Sequence, residues 1–205
     1  MIARAVTLSL LAILAPPAAP QDRMPPIPTD KMTEAQRAAA QELIAGPRGA
    51  VFGPFIPLLR SPELLSRLQK MGEYLRYHNA AGQKLSELAI LYVARRWTQQ
   101  VEWAIHEPLA RKQGVRPEVV AALAEGRRPP ALADDEAAVY DFLEELYDNH
   151  SVSDATYGRA LAKLGEQGVV DLAALAGYYE LLAMVMNAAR TPTEGGKQPL
   201  QPFPR

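Results

Sequence analysis

The chain has 205 residues, of which 48% are hydrophobic and 22% charged, with a net charge of −1 and no cysteine. This composition is that of an ordinary globular protein, and the length suits one domain with flexible ends. A nearly neutral chain without long runs of like charge lacks the basic surface that nucleic acid requires, so we expect no nucleic-acid partner. The absence of cysteine excludes disulfides, thiolate metal sites and catalysis by a thiol.

The N-terminus predicts an exported protein. Arg4 is followed by an eleven-residue run, residues 5–15, that is mostly apolar, and then by proline and alanine up to Pro20. A basic start, a short apolar core and small residues are typical of a secretory signal peptide, and the run is too short to span a bilayer. We therefore expect residues 1–20 to be a signal peptide and the mature protein to be periplasmic or secreted, with no membrane segment. A cytoplasmic protein is the alternative.

Proline and glycine divide the rest of the chain into three parts. Residues 21–32 are predicted to form a Pro-rich linker, and residues 33–190 a helical domain. Residues 191–205 form a Pro/Gly-rich tail that we expect to be disordered or draped over a neighbour. Because no segment alternates apolar and polar residues as a strand does, we predict an all-α fold of about eight helices.

The helix boundaries follow from capping residues, glycines and prolines. Thr33 with Gln36 matches a capping box, Ser61 precedes a proline at the first helical position, and Thr98 and Asp134 are predicted N-caps. The predicted helices span approximately residues 33–45, 61–78, 84–97, 98–114, 117–126, 134–147, 153–164 and 169–189.

An apolar loop is expected between the first two helices. Residues 49–59 are hydrophobic but contain two glycines and two prolines, which are incompatible with a regular helix or a central strand. We predict a buried loop that carries Phe52 and Phe55 towards the core or a pocket.

Three residues, Glu87, Glu102 and His106, could form a chemical site. Glu102 and His106 are four residues apart and therefore share one face of a helix. On a single unbroken helix Glu87 and His106 would stand roughly 28 Å apart. A reversal at Trp97-Thr98 brings them nearly level on antiparallel helices, so the predicted site requires that turn.

A carboxylate and an imidazole in one site can divide proton donation and acceptance between them. The neighbouring Trp97 and Trp103 could form an apolar wall that raises a glutamate pKa. Two alternatives stay open: Glu102 with His106 as a surface ion pair, and Glu87 as a residue that complements a helix dipole. We expect no metal, because His78, His106 and His150 fall on different predicted elements.

A set of scattered residues resembles the carboxymuconolactone decarboxylase family, over roughly residues 33–190. The matching segments are Gly53-Pro54-Phe55, Leu59-Arg60-Ser61-Pro62-Glu63-Leu64, Leu85-Ser86-Glu87-Leu88-Ala89-Ile90-Leu91, Trp97, Glu102-Trp103-Ala104-Ile105-His106, Ala110, Gly114-Val115, Glu118, Tyr178-Tyr179 and Met184.

The same superfamily contains alkylhydroperoxidase D-like proteins, whose motif places a Cys-x-x-Cys pair between a glutamate and a histidine. In this chain the glutamate matches Glu87 and the histidine His106, while Gln99 and Glu102 occupy the two cysteine positions. Peroxidase activity needs a thiolate, so it is the least expected function. The resemblance implies an all-helical, alkylhydroperoxidase D-like bundle that forms a homo-oligomer, commonly with trimeric symmetry.

The resemblance further implies a cofactor-free lyase or isomerase acting on a small lactone or related carboxylic acid. His106 is then expected to be the general acid, with Glu102 or Glu87 setting its tautomer and taking the proton in return. Arg95 or Arg96 is expected to hold a substrate carboxylate. The expected pocket residues are Phe52, Phe55, Trp103 and Tyr178. The alternatives are another proton-transfer reaction and a non-catalytic binding or assembly protein on the same fold.

Overall fold

The computed structural model describes residues 21–202 and confirms the predicted all-α fold. Within that range the chain forms eight α-helices and no strand. The predicted signal peptide, residues 1–20, lies outside the described residues. The helices are α1 Glu34–Ala45, α2 Phe55–Leu58, α3 Pro62–Tyr77, α4 Gln83–Arg96, α5 Gln100–Lys112, α6 Pro117–Ala124, α7 Asp134–Asn149 and α8 Asp154–Ala189.

Helix α4 forms the centre of the fold. Every residue from Leu85 to Arg95 is buried, as expected for a helix that is apolar on most sides. Around it pack α5, α6, α7 and α8, while α1 lies on α3 at the periphery. The chemical groups on α4 are therefore held by neighbours on all sides.

The predicted reversal between α4 and α5 is confirmed, but its cap is Gln99 rather than Thr98. Gln99 Oε1 accepts hydrogen bonds from the backbone N–H groups of Val101 and Glu102, at 2.6 and 3.2 Å. Gln99 Nε2 donates to Asn187 Oδ1 of α8 at 3.0 Å. Thr98 instead lies in the tight turn between the helices, with a φ of 45°, and does not cap α5.

Two other boundaries differ from the prediction. The loop of residues 49–59 contains one helical turn, α2; Pro57 is compatible with it because it lies in the first turn, where a backbone N–H has no acceptor within the helix. Helix α7 begins after Ala133, whose N–H donates to Glu136 Oε2 at 2.9 Å, and not after an Asp134 cap. The break predicted between the last two helices is present inside α8 at Gly165, whose φ of 70° is non-helical, but the helix resumes directly after it rather than at about residue 169.

Helix α8 is the one helix in residues 21–202 that could cross a membrane by length and composition. Its most apolar window has a mean hydropathy of 1.6, and 56% of that window is buried inside the protein. A helix in the core of a globular protein can have the same length and the same apolar composition as a membrane-spanning helix. α8 packs against α2, α3, α4 and α7, so it serves as a core element of this fold.

The tail packs against its own chain up to Gln201, where the sequence predicted a segment that is either disordered or draped over a neighbour. Leu200 is 1% exposed, and its N–H and C=O both bond to the side chain of Gln100, at 2.9 and 2.8 Å. These contacts attach the tail to the start of α5.

Candidate active site

The turn between α4 and α5 brings Glu87 and His106 into direct contact. His106 Nδ1 lies 2.7 Å from Glu87 Oε2, and each side chain is 4% exposed. The ring of Tyr179 from α8 packs edge-on against the imidazole, with centroids 5.1 Å apart. The histidine is therefore fixed by a carboxylate on one side and by an aromatic ring on another.

The surroundings of His106 favour its neutral form. Burial lowers the pKa of His106, and the hydrogen bond that its ring donates to Glu87 opposes this effect without reversing it. The positive charges of Arg76 and Arg48 lower the pKa further. In the neutral ring, Nδ1–H donates to the Glu87 carboxylate, which leaves the Nε2 lone pair for a molecule in the adjoining cleft.

Glu102 lies one helical turn before His106 on α5 and faces the same cleft. It is 2% exposed, and neither carboxyl oxygen has a hydrogen-bond partner among residues 21–202. Burial raises the pKa of this carboxyl well above its ordinary 4.5. A neutral carboxylic acid beside a neutral imidazole provides a proton donor and a proton acceptor at one place.

The cleft beside these groups is narrow and mainly aromatic and aliphatic, with two arginines. It lies between α2, α3, α5 and α8, and its cavity volume of about 20 Å³ is room for about one water molecule. The described residues contain no group of three or more His, Asp and Glu side chains placed to hold a metal ion. The walls of the cleft are formed by Arg48, Phe52, Pro54, Phe55, Arg76, Glu102, Ile105, His106, Tyr179 and Leu182.

Arg48 and Arg76 were not predicted from the sequence. Arg48 lies over the Phe55 ring at 4.8 Å, and its Nη2 is 3.5 Å from the Tyr178 hydroxyl. Within residues 21–202 neither arginine forms an ion pair. Two cations without carboxylate partners give the cleft a positive charge. They come from the loop after α1 and from the end of α3, and no local spacing connects them to His106.

The structure brings some predicted pocket residues to the cleft and separates others from it. Phe52 and Phe55 line it. Tyr178 is buried directly behind, with its ring 5.4 Å from that of Tyr179. Trp103 lines a different groove, beside α6 and the tail. Arg95 lies near the far end of α4, where its Nη1 donates to the carbonyl of Gln201 at 2.7 Å.

Glu87 also has a different position from the one expected of a catalytic residue. It lies behind His106 and is absent from the cleft wall. Its geometry suits a group that orients the imidazole and selects its tautomer. We therefore treat Glu87 as a positioning residue.

A glycine on α3 allows the Tyr178–Arg48 contact to form. A Cβ at Gly72 would overlap the Tyr178 hydroxyl and lie 2.7 Å from Arg48 Nη2. The buried Tyr178 ring cannot move aside easily, so we expect Gly72→Ala to destabilise the protein by about 1–3 kcal/mol in urea unfolding.

The matched control for this substitution is Gly158→Ala. Gly158 is an exposed α8 glycine whose Cβ would meet nothing within 4 Å. In an open helical position alanine gains about 0.5–1 kcal/mol over glycine, so the two variants should shift the unfolding midpoint in opposite directions. Equal shifts would show that Tyr178 does not depend on the glycine.

Comparison with known proteins returned no match: no protein-family model, no curated protein and no solved structure resembles the chain significantly.

Proposed function

We propose that the chain is a cofactor-free proton-transfer enzyme that decarboxylates or isomerises a small lactone or related carboxylic acid. The observation that carries this proposal is the buried Glu87–His106 pair beside the unpartnered carboxyl of Glu102. A buried, unpartnered carboxyl is costly to the fold, and ionisable groups with perturbed pKa values concentrate at functional sites. The pattern of residues around Glu87, Glu102 and His106, which is similar to that of carboxymuconolactone decarboxylases, supports the same chemistry.

The proposed reaction begins with an acid bound in the cleft, whose side chains must move apart to admit a molecule larger than water. Arg48 and Arg76 supply the positive charge that holds a substrate carboxylate. Loss of carbon dioxide breaks a carbon–carbon bond and leaves its electron pair in a dienolate conjugated with the lactone carbonyl. The surrounding aromatic walls keep water away from this intermediate, which strengthens the attraction between its charge and the site.

The dienolate then takes a proton at carbon. Glu102, held neutral by burial, is the donor in this proposal, and His106 Nε2 accepts a proton in the reverse or isomerising direction. This assignment differs from the sequence-based expectation, in which His106 was the general acid. The difference rests on the directions of the two pKa shifts, which favour a protonated Glu102 and an unprotonated His106.

A panel of unsaturated lactone carboxylic acids tests the proposal. Purified protein in D₂O is incubated with each acid, carbon dioxide release is measured, and deuterium at the carbon next to the carbonyl is followed by NMR. We expect at least one acid to lose carbon dioxide or gain deuterium faster than in a heat-inactivated control. If no acid reacts but several bind, the chain is a binding protein and the enzymatic proposal fails.

A further inference from the structure

The outer face of α8 is apolar along nearly the whole second half of the helix. Val170 is 67% exposed and Met184 45% exposed, although both lie on the helix that forms much of the core. A helix of a single globular protein ordinarily turns a polar face to solvent. We call this outer face the α8 seam; its residues are Val170, Ala174, Gly177, Leu181, Met184 and Ala188.

The spacing of the α8 seam is that of a helix-pairing interface. Its residues follow one another at intervals of four, three, four, three and four positions, which is the a/d pattern of helices that pack along their length. No charged residue occupies any of these positions. The partly exposed Tyr74 of α3 lies beside this helix, since its hydroxyl donates to Asp171 of α8 at 3.0 Å.

We infer that the α8 seam binds the same seam of a second copy of this chain, antiparallel, about a two-fold axis. The pattern is symmetric about position 179, so an antiparallel copy places Val170 opposite Ala188, Ala174 opposite Met184 and Gly177 opposite Leu181. Each layer then joins a larger side chain to a small one, which is the arrangement that fills an interface without voids. Parallel pairing would instead place glycine on glycine and leucine on leucine.

Charge favours the same orientation. Glu166 begins the straight part of α8 after the Gly165 kink, and Arg190 ends it. In the antiparallel pair they come from opposite chains and lie about two residues, or roughly 3 Å, apart along the axis. Neither side chain has an ion-pair partner within residues 21–202. The antiparallel arrangement also aligns the two helix dipoles favourably.

The mass of the full chain in solution tests this inference, with two glycine variants as a matched pair. A Cβ at Gly177 or at Gly158 would meet nothing within 4 Å in the single chain, and both positions are exposed, so we expect both to tolerate a glutamate. We expect the wild-type protein to contain an even number of chains, Gly177→Glu to halve that number, and Gly158→Glu to leave it unchanged. A monomeric wild type, an odd number of chains, or an unchanged mass for Gly177→Glu would overturn the inference.

Cysteine cross-linking tests the orientation, helped by the absence of native cysteine. Ala174→Cys and Met184→Cys chains are oxidised separately and after mixing. In the antiparallel pair each new thiol faces the other position and lies about 15 Å from its own copy along the axis, beyond disulfide reach. Cross-links should therefore form only in the mixture. Cross-linking of Ala174→Cys alone would indicate parallel pairing, and none in the mixture would indicate that the seam binds something else, such as lipid.

Discussion

His106→Asn is expected to reduce turnover of the lactone acid substrate by at least about 100-fold, the usual contribution of a positioned acid or base. The imidazole lines the cleft, and Glu87 fixes its tautomer through a 2.7 Å contact. Asparagine places its side-chain amide near the position of the histidine Nδ1, but the amide cannot accept and return a proton at neutral pH. Initial rates of carbon dioxide release, with circular dichroism as the check on folding, give the result.

Two control variants separate chemistry from structure in this experiment. His150→Asn changes an exposed histidine outside the cleft and should leave the rate unchanged. Glu87→Gln keeps a hydrogen-bond acceptor beside Nδ1 but removes its charge, so it should slow turnover less than His106→Asn and alter the pH profile. Full activity in folded His106→Asn protein would remove the histidine from the mechanism.

Glu102→Met is expected to stabilise the protein by about 1–3 kcal/mol while abolishing turnover. Both carboxyl oxygens of Glu102 are buried without a partner among residues 21–202. A buried polar group without a hydrogen-bond partner usually destabilises a protein by about 1–3 kcal/mol. An apolar side chain of similar length removes that cost together with the proposed proton donor. A gain in stability coupled to a loss of function is typical of active-site residues. Urea unfolding and the activity assay measure the two effects.

The stability gain should depend on pH with a definite sign. Burial raises the folded-state pKa of Glu102 above its ordinary 4.5, so the folded chain retains a proton that the unfolded chain loses as the pH rises. The wild type therefore loses stability relative to Glu102→Met as the pH rises from about 4.5 through the folded-state pKa. Below that window the difference between the two proteins is smallest.

Glu102→Gln is the matched control for this pair of measurements. The amide is also polar and buried, so it should give little of the stability gain, and it cannot ionise, so it should remove the pH dependence. A Glu102→Met protein less stable than the wild type at neutral pH would show that the carboxyl has a stabilising partner in solution.

Much of the candidate site could be predicted because it depends on local rules. Glu102 and His106 share a helix face by spacing alone, and the turn near Trp97 set Glu87 level with them. The turn itself was predictable in place but not in detail, since its cap depends on Gln99 bonding to Asn187 of α8.

The remaining site residues depend on packing between distant elements. Arg48 and Arg76 reach the cleft because α3 and the loop after α1 pack near α5 and α8, which no spacing in the sequence indicates. Trp103 is three residues from His106, so it points about 60° away around the helix axis and faces α6. Arg95 lies about 12 Å along α4 from Glu87, too far to share its site.

The ionisation state of His106 is the most direct test of the proposed proton-transfer site, because it needs no substrate. Nitrogen-15 NMR of labelled protein across a pH titration, with His106→Asn identifying the signal, reports the charge and the tautomer of the ring. At neutral pH we predict an uncharged imidazole that carries its proton on Nδ1, with a pKa below that of an ordinary histidine. A charged ring at neutral pH, or a proton on Nε2 with Nδ1 bare, would contradict the proposed division of acid and base between Glu102 and His106.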